Sequence, residues 1–178
     1  MRMRWNGRAK RARRKSSKTL TTRWKPCVLR NGRGQSMHAV IDTNVVISGV
    51  ISPRSTAAFI VGLVATGDIV VCYNESIIAE YRNVARYPKL ARYRIDIDAF
   101  ERFLEGLADN GEYVSPPFLR VDMPDEDDRR FYEISCDTGC PIITRNHKDF
   151  PNDAFLVDPS FFARTMHATS DGLARLEP

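Results

Sequence analysis

The stretch His38-Ala-Val-Ile-Asp42-Thr43-Asn44 is a short apolar β-forming run that breaks at once into Asp-Thr-Asn. It predicts a buried strand with a carboxylate at its carboxyl end. Similar runs follow at Ile69-Val-Val-Cys-Tyr73, Pro141-Ile-Ile-Thr144 and Ala154-Phe-Leu-Val157, with Glu112-Tyr-Val114 as a short edge strand. Continuous apolar runs of this length suit strands buried on both faces of a parallel sheet. Helical signals lie between them. Ser52-Pro53 offers an N-cap with proline at the first helical position, ahead of the apolar stretch 57–64 that ends at Gly67. Asn74 caps a helix whose face is Ile77, Ile78, Tyr81, Val84 and Ala85, with Pro88 marking its end. Phe100, Phe103, Leu104 and Leu107 mark another, closed by Gly111. Pro124 and the acids after it open a helix stopped by Gly139, with Asp125 as N-cap and Asp128 at the third helical position. Pro159 starts a terminal helix. Strand and helix alternating in this order predict right-handed crossovers and a mainly parallel sheet covered on both faces. Ligand sites in such folds sit at the carboxyl ends of the strands.

The charge is divided. Of the 27 Lys and Arg, 13 lie in residues 1–36, which hold no acid; residues 37–178 carry the other 14 and all 22 acids, a net of −8. Residues 1–36 therefore read as a basic, largely disordered extension, 37–168 as the folded domain and 169–178 as a tail. The arm suits phosphate neutralisation; equally, Met37 fits a translation start and the arm an extended reading frame. No secretory apolar region follows the basic start, and the longest apolar run, 57–65, is under half of a membrane span. A transmembrane protein is thereby excluded, and a cytoplasmic one expected. Cys27, Cys72, Cys136 and Cys140 are too sparse for a disulfide framework and lack zinc spacing, so they read as core thiols in a reducing compartment.

The chemistry-bearing residues stand after the strands. Asp42 and Asn44 follow the first. Glu80 sits at the margin of a helix's apolar face. Asp122, Asp125, Glu126, Asp127 and Asp128 crowd seven positions, and Thr144, Arg145, Asn146, Lys148 and Asp149 follow the third buried strand. Singly, each has an ordinary reading: turn chemistry for Asp42, a helix ion pair with Arg82 or Arg86 for Glu80, helix-start acids for the cluster. Converging carboxylates repel, and a hard divalent cation relieves that; Mg2+ or Mn2+ fits oxygen ligands, while the absence of a His/Cys cluster argues against zinc. Such a cation serves phosphodiester hydrolysis without a protein nucleophile or a nucleotide-cradling loop, and neither GxGxxG nor GxxxxGK[ST] occurs. Arg82, Arg86, Lys89, Arg92, Arg94, Arg129, Arg130, Arg145 and Lys148, close in sequence to the acids, are candidates for a phosphate-binding rim.

From about His38 to His167 the chain resembles PIN-domain ribonucleases, in particular the VapC-like toxins of bacterial type II toxin–antitoxin pairs. The resemblance rests on Ala39-Val-Ile-Asp42-Thr-Asn44-Val, Ser76-Ile-Ile-Ala-Glu80-Tyr, Asp125-Glu-Asp-Asp128-Arg-Arg-Phe and Ile143-Thr144-Arg-Asn146-His-Lys-Asp149-Phe-Pro151, in that order, with Val157-Asp-Pro-Ser-Phe-Phe162 as the closing strand and helix. It implies a three-layer α/β/α sandwich, one or two Mg2+ or Mn2+ ions, endonucleolytic cleavage of single-stranded RNA, a homodimer and an antitoxin partner. It maps the acids onto Asp42, Glu80 and Asp128, with Asp125 as a structural partner. Many relatives carry a fourth acid where Asn146 stands here; others have Asn there and an acid three further on, which Asp149 matches. Asn44, Thr144, Arg145, Asn146 and Lys148 would orient ligands or contact substrate. A PIN-like RNA-binding or interaction module without turnover is the alternative. A phosphohydrolase of the haloacid dehalogenase type also begins with Asp after its first strand, but needs an acid where Asn44 stands.

Overall fold

A computed structural model describes residues 28–31 and 34–174, with side chains over 37–166. Six strands, β1 (Val28–Asn31), β2 (Gly34–Ile41), β3 (Ile69–Tyr73), β4 (Glu112–Tyr113), β5 (Ile142–Ile143) and β6 (Leu156–Val157), form one sheet. Its main path runs β4-β3-β2-β5-β6, all parallel, and β1 pairs antiparallel with the start of β2. Helices α1 (Thr43–Ile51), α2 (Thr56–Thr66), α3 (Glu75–Ala85), α4 (Ile97–Asn110), α5 (Arg129–Thr138) and α6 (Pro159–Ala174) flank it. This is the three-layer α/β/α arrangement expected. Val40, Ile41, Ile142 and Ile143 are almost wholly buried, which is why their runs show no alternation.

Strand order fixes where a ligand can sit. From β2 the chain moves outward to β3 and β4, then returns to place β5 against the other side of β2. The sheet's order reverses between β2 and β5, and the crevice at that switch lies beyond their carboxyl ends. Asp42 follows β2 there, and Thr144 follows β5.

Several local expectations need correction. The domain's ordered strands begin before residue 37, because Val28–Asn31 and Gly34–Met37 pair as two antiparallel strands; the rest of the basic arm lies outside the described residues. The helix α1 was not anticipated. It is apolar on nearly every side, with Val45, Val46, Ile47 and Gly49 buried, so it carries no polar face to give a period. Ser52 consequently ends α1 instead of starting α2: its carbonyl accepts from Ser55 N in a turn through Pro53, and Ser55 Oγ caps α2 by accepting from Ala58 N. Asp125 does cap, but it caps a 3₁₀ turn over Glu126–Asp128, and α5 begins only at Arg129. A second 3₁₀ segment, Pro88–Tyr93, follows α3, and α6 continues past residue 168 to Ala174.

Candidate active site

Asp42 is placed by both backbone and side chain. Its N–H donates to Ile143 O at 3.0 Å, extending the β2–β5 ladder by one residue. Its carboxylate then turns over the start of α1, where Oδ1 accepts from Asn44 N at 2.9 Å. Oδ2 accepts the hydroxyl proton of Thr144, the residue that follows β5. The side chain is thus held across the switch point and is only 3% exposed. Burial raises its pKa, the bonds from Thr144 and Asn44 pull it back, and the charge of Asp149 adds to the rise.

Glu80 comes from α3, on a helix whose buried side is Ile77, Ile78, Tyr81 and Ala85. Thr43, beside Asp42, donates its hydroxyl to Glu80 Oε1 at 2.5 Å. The other oxygen, Oε2, is buried and has no hydrogen bond; Arg130 Nη1 approaches it at 3.3 Å as a charge contact only. Burial raises the Glu80 pKa, Thr43 and Arg130 oppose this, and Asp42 and Asp127 reinforce it. Arg82 and Arg86 take no part, because both bind Glu101.

Asp128 sits at the junction of the 3₁₀ turn and α5 without capping the helix. Its pKa is raised to about 7, by burial first and then by the charges of Asp42, Asp125, Asp149 and Glu80. Asp149 enters through the turn His147–Asp149, whose N–H bonds Asn146 O at 3.1 Å. Asn146 in turn donates its N–H to Thr144 Oγ1 at 2.9 Å, so the Thr144 hydroxyl accepts from one side and donates to Asp42 on the other. Asp42, Glu80, Asp128 and Asp149, dispersed along the sequence, therefore share one electrostatic field. Asn44, Arg145 and Lys148 are exposed, with Asn146 partly so.

The donor set fits a hard divalent cation. All the converging side chains offer oxygen, three have raised pKa values that a positive charge would reverse, and Glu80 Oε2 is a buried oxygen with no hydrogen-bond partner. These acids do not form a trio with ligand atoms all within 4.8 Å of one another.

The basic rim is smaller than its sequence suggested. Arg82 and Arg86 are committed to Glu101, whose pKa they lower. Arg129, 13% exposed at its side chain, bonds Glu126 and the carbonyls of Leu119 and Val121. Arg130 faces Glu80 and Asp127 O. Lys89, Arg92, Arg94, Arg145 and Lys148 remain exposed.

Sequence reading missed three supports of the site. Thr43 positions Glu80, Arg130 approaches it, and the fully buried Tyr81 donates its hydroxyl to Ile41 O, tying α3 to the end of β2. A β-branched hydroxyl directly after the strand-end acid was the available signal for Thr43. Contrary to the expectation from sequence spacing, a His/Cys cluster is present: His38, Cys72 and Glu112, from three strands, bring their ligand atoms within 4.8 Å of one another.

Comparison with known proteins agrees with this geometry. A family model described as PIN domain matches residues 38–148, well over half of the chain. An uncharacterized protein of Methanocaldococcus jannaschii is 30% identical over 105 residues, covering 59% of this chain and 68% of that protein. No solved structure matches the chain.

Proposed function

Since the chain belongs to the PIN-domain family, for which nuclease chemistry is the general activity, we propose that it is a Mg2+- or Mn2+-dependent endoribonuclease cleaving single-stranded RNA. The observation that carries this reading is geometric: Thr144 ties Asp42, beyond β2, to the end of β5, while Thr43, the next residue, binds Glu80 of α3 and leaves its buried Oε2 without a hydrogen bond. The Asp128 pKa, raised by burial first and then by the charges of Asp42, Asp125, Asp149 and Glu80, agrees with it. Asp42, Glu80, Asp128 and Asp149 would hold the cation. When bound, it would lower the pKa of its water and offset charge on a phosphoryl oxygen.

The protein's own groups do the positioning. Thr144 and the Asn44 N–H aim Asp42 and oppose the effect of burial on its charge. Thr43 fixes one oxygen of Glu80 and leaves the other unbonded. Arg145 and Lys148 flank Asp149 on the exposed side, where they would offset the repulsion between an acidic pocket and a phosphate backbone. Asn146 does not argue for an inactive module, because Asp149 three residues later supplies a charge felt by both Asp42 and Asp128.

Cleavage of a single-stranded RNA is expected with Mg2+ or Mn2+, to be abolished by EDTA and to fall by orders of magnitude in Asp42→Asn. Activity indifferent to both changes would remove the reading. The toxin role, an antitoxin partner, a homodimer and a cytoplasmic setting rest on the resemblance of the four motifs. Co-purification with the product of an adjacent small reading frame, and loss of cleavage on its addition, would test the first two.

A further inference from the structure

We propose that His38, Cys72 and Glu112 form a second, separate metal site that takes Zn2+. Sheet register builds it. His38 pairs with Val70 and Cys72 with Glu112, so His38, Cys72 and Glu112 project from the same face of β2, β3 and β4. Their functional atoms have already converged: His38 Nδ1 is 2.8 Å and Cys72 Sγ 3.9 Å from Glu112 Oε2, and all three lie within 4.8 Å of one another.

Ligands about 2.0–2.3 Å from a tetrahedral zinc ion stand about 3.3–3.8 Å apart. The two separations from Glu112 Oε2, 2.8 and 3.9 Å, bracket that range, and the His38–Glu112 contact would have to open to admit the ion. The charges also match: a thiolate and a carboxylate neutralise a dication, and the imidazole binds as a neutral ligand. Binding would replace the Cys72 S–H bond by a metal–sulfur bond and release that proton to solvent, while His38 would bind through Nδ1 as the neutral tautomer that carries its proton on Nε2.

Access is provided at one point. Cys72 is buried and the His38 side chain is 10% exposed, while Glu112, on the edge strand β4, has 45% of its side chain exposed. An ion would enter past Glu112 and keep a water as its fourth ligand. Cys140 Sγ lies 3.8 Å from Cys72 Sγ. The two sites differ in donor chemistry: sulfur and imidazole select zinc here, and oxygen alone selects Mg2+ or Mn2+ at Asp42. The zinc site therefore stands whether or not the chain cleaves RNA. A bound ion would staple the two-residue strand β4 to β3 and β2.

The test uses the full chain stripped of metal and titrated with Co2+, whose spectrum reports sulfur ligation. One equivalent is expected to give a thiolate-to-cobalt charge-transfer band, displaced by one equivalent of Zn2+ and not by millimolar Mg2+. The band is expected to vanish in Cys72→Ser and to persist in Cys27→Ser and Cys136→Ser. Glu112→Gln, a near-isosteric change at a half-exposed side chain, is expected to weaken Co2+ binding at least tenfold, so the claim does not depend on Cys72→Ser folding. No thiolate band in the unmodified chain, a band surviving Cys72→Ser, or full affinity in Glu112→Gln would overturn it.

Discussion

Thr144 donates its hydroxyl proton to Asp42 Oδ2, joining the residue after β5 to the residue after β2 across 102 positions of sequence. The same hydroxyl accepts from Asn146 N, so its orientation is set from both sides. Thr144 is fully buried, and no water replaces it if it is changed to an apolar isostere. Thr144→Val is expected to lower cleavage about 10–100-fold, as loss of a residue that orients a ligand typically does. It should cost about 1–3 kcal/mol of stability through the unsatisfied Asp42 oxygen. Single-turnover cleavage and urea melts measure the two; an unaffected rate would mean that Asp42 needs no such support.

The raised pKa of Asp128 makes the metal-free protein sensitive to pH. Unfolded, the group titrates near 3.8; folded, near 7. Between those values the folded chain holds a proton that the unfolded chain has lost, so stability from this group is present at low pH and falls as pH rises through 7. The upward shifts of Asp42 and Glu80 act in the same direction. In EDTA, the melting temperature should be higher at pH 5 than at pH 8, and Mg2+ should restore it at pH 8. After discounting for Asp128's partial exposure, about 1–2 kcal/mol is at stake, on the order of 5 °C. Asp128→Asn should flatten the profile. A metal-free melting temperature that rose steadily from pH 5 to 8 would show that the acids do not press on one another.

What could be read from sequence follows the physics of each signal. The strands were legible because Val40–Ile41 and Ile142–Ile143 are buried on both faces and use apolar β-formers continuously. Glu80 was legible as a restrained carboxylate because helical spacing puts it beside Ile77 and Val84, and it is partly buried there. The helix α1 was not legible, since a helix apolar on nearly every side shows no periodicity. Nor could sequence choose between Ser52 and Ser55 as a cap, because the decision depends on where α1 stops. Chain-wide electrostatics were equally hidden. Arg130, 50 residues beyond Glu80, approaches it, while the near neighbours Arg82 and Arg86 turn to Glu101. The trio His38, Cys72 and Glu112 has no local spacing to recognise, as each member comes from a different strand.

Gly49 marks the point of closest approach between α1 and α2. A Cβ there would lie 2.6 Å from Val61 Cγ2 and 2.7 Å from the Ala57 carbonyl oxygen. The side chain can rotate, but the backbone oxygen cannot yield without moving α2. Gly49→Ala should therefore cost about 1–3 kcal/mol, despite alanine's better helix propensity. Because α1 carries Thr43 and is capped by Asp42, cleavage should fall with stability. A stabilised Gly49→Ala variant in thermal melts would mean that the two helices are less tightly seated.

Arg129 and Lys148 separate structural cations from substrate-binding ones. Arg129 donates to Leu119 O at 2.5 Å and Val121 O at 2.9 Å, pairs with Glu126, and lies over the Phe118 ring at 4.9 Å. Removing it leaves two carbonyls short of a donor and frees the segment before α5, at a cost of about 1–3 kcal/mol. Lys148 is exposed beside Asp149 and has no such structural duty. With Asp42→Asn as a cleavage-dead background, Lys148→Ala should reduce the slope of log affinity for single-stranded RNA against log salt by about 0.7, the value of one lost phosphate contact. Arg129→Ala should leave that slope unchanged while lowering the melting temperature. The opposite pattern would place the RNA backbone along α5 instead of along the turn that follows β5.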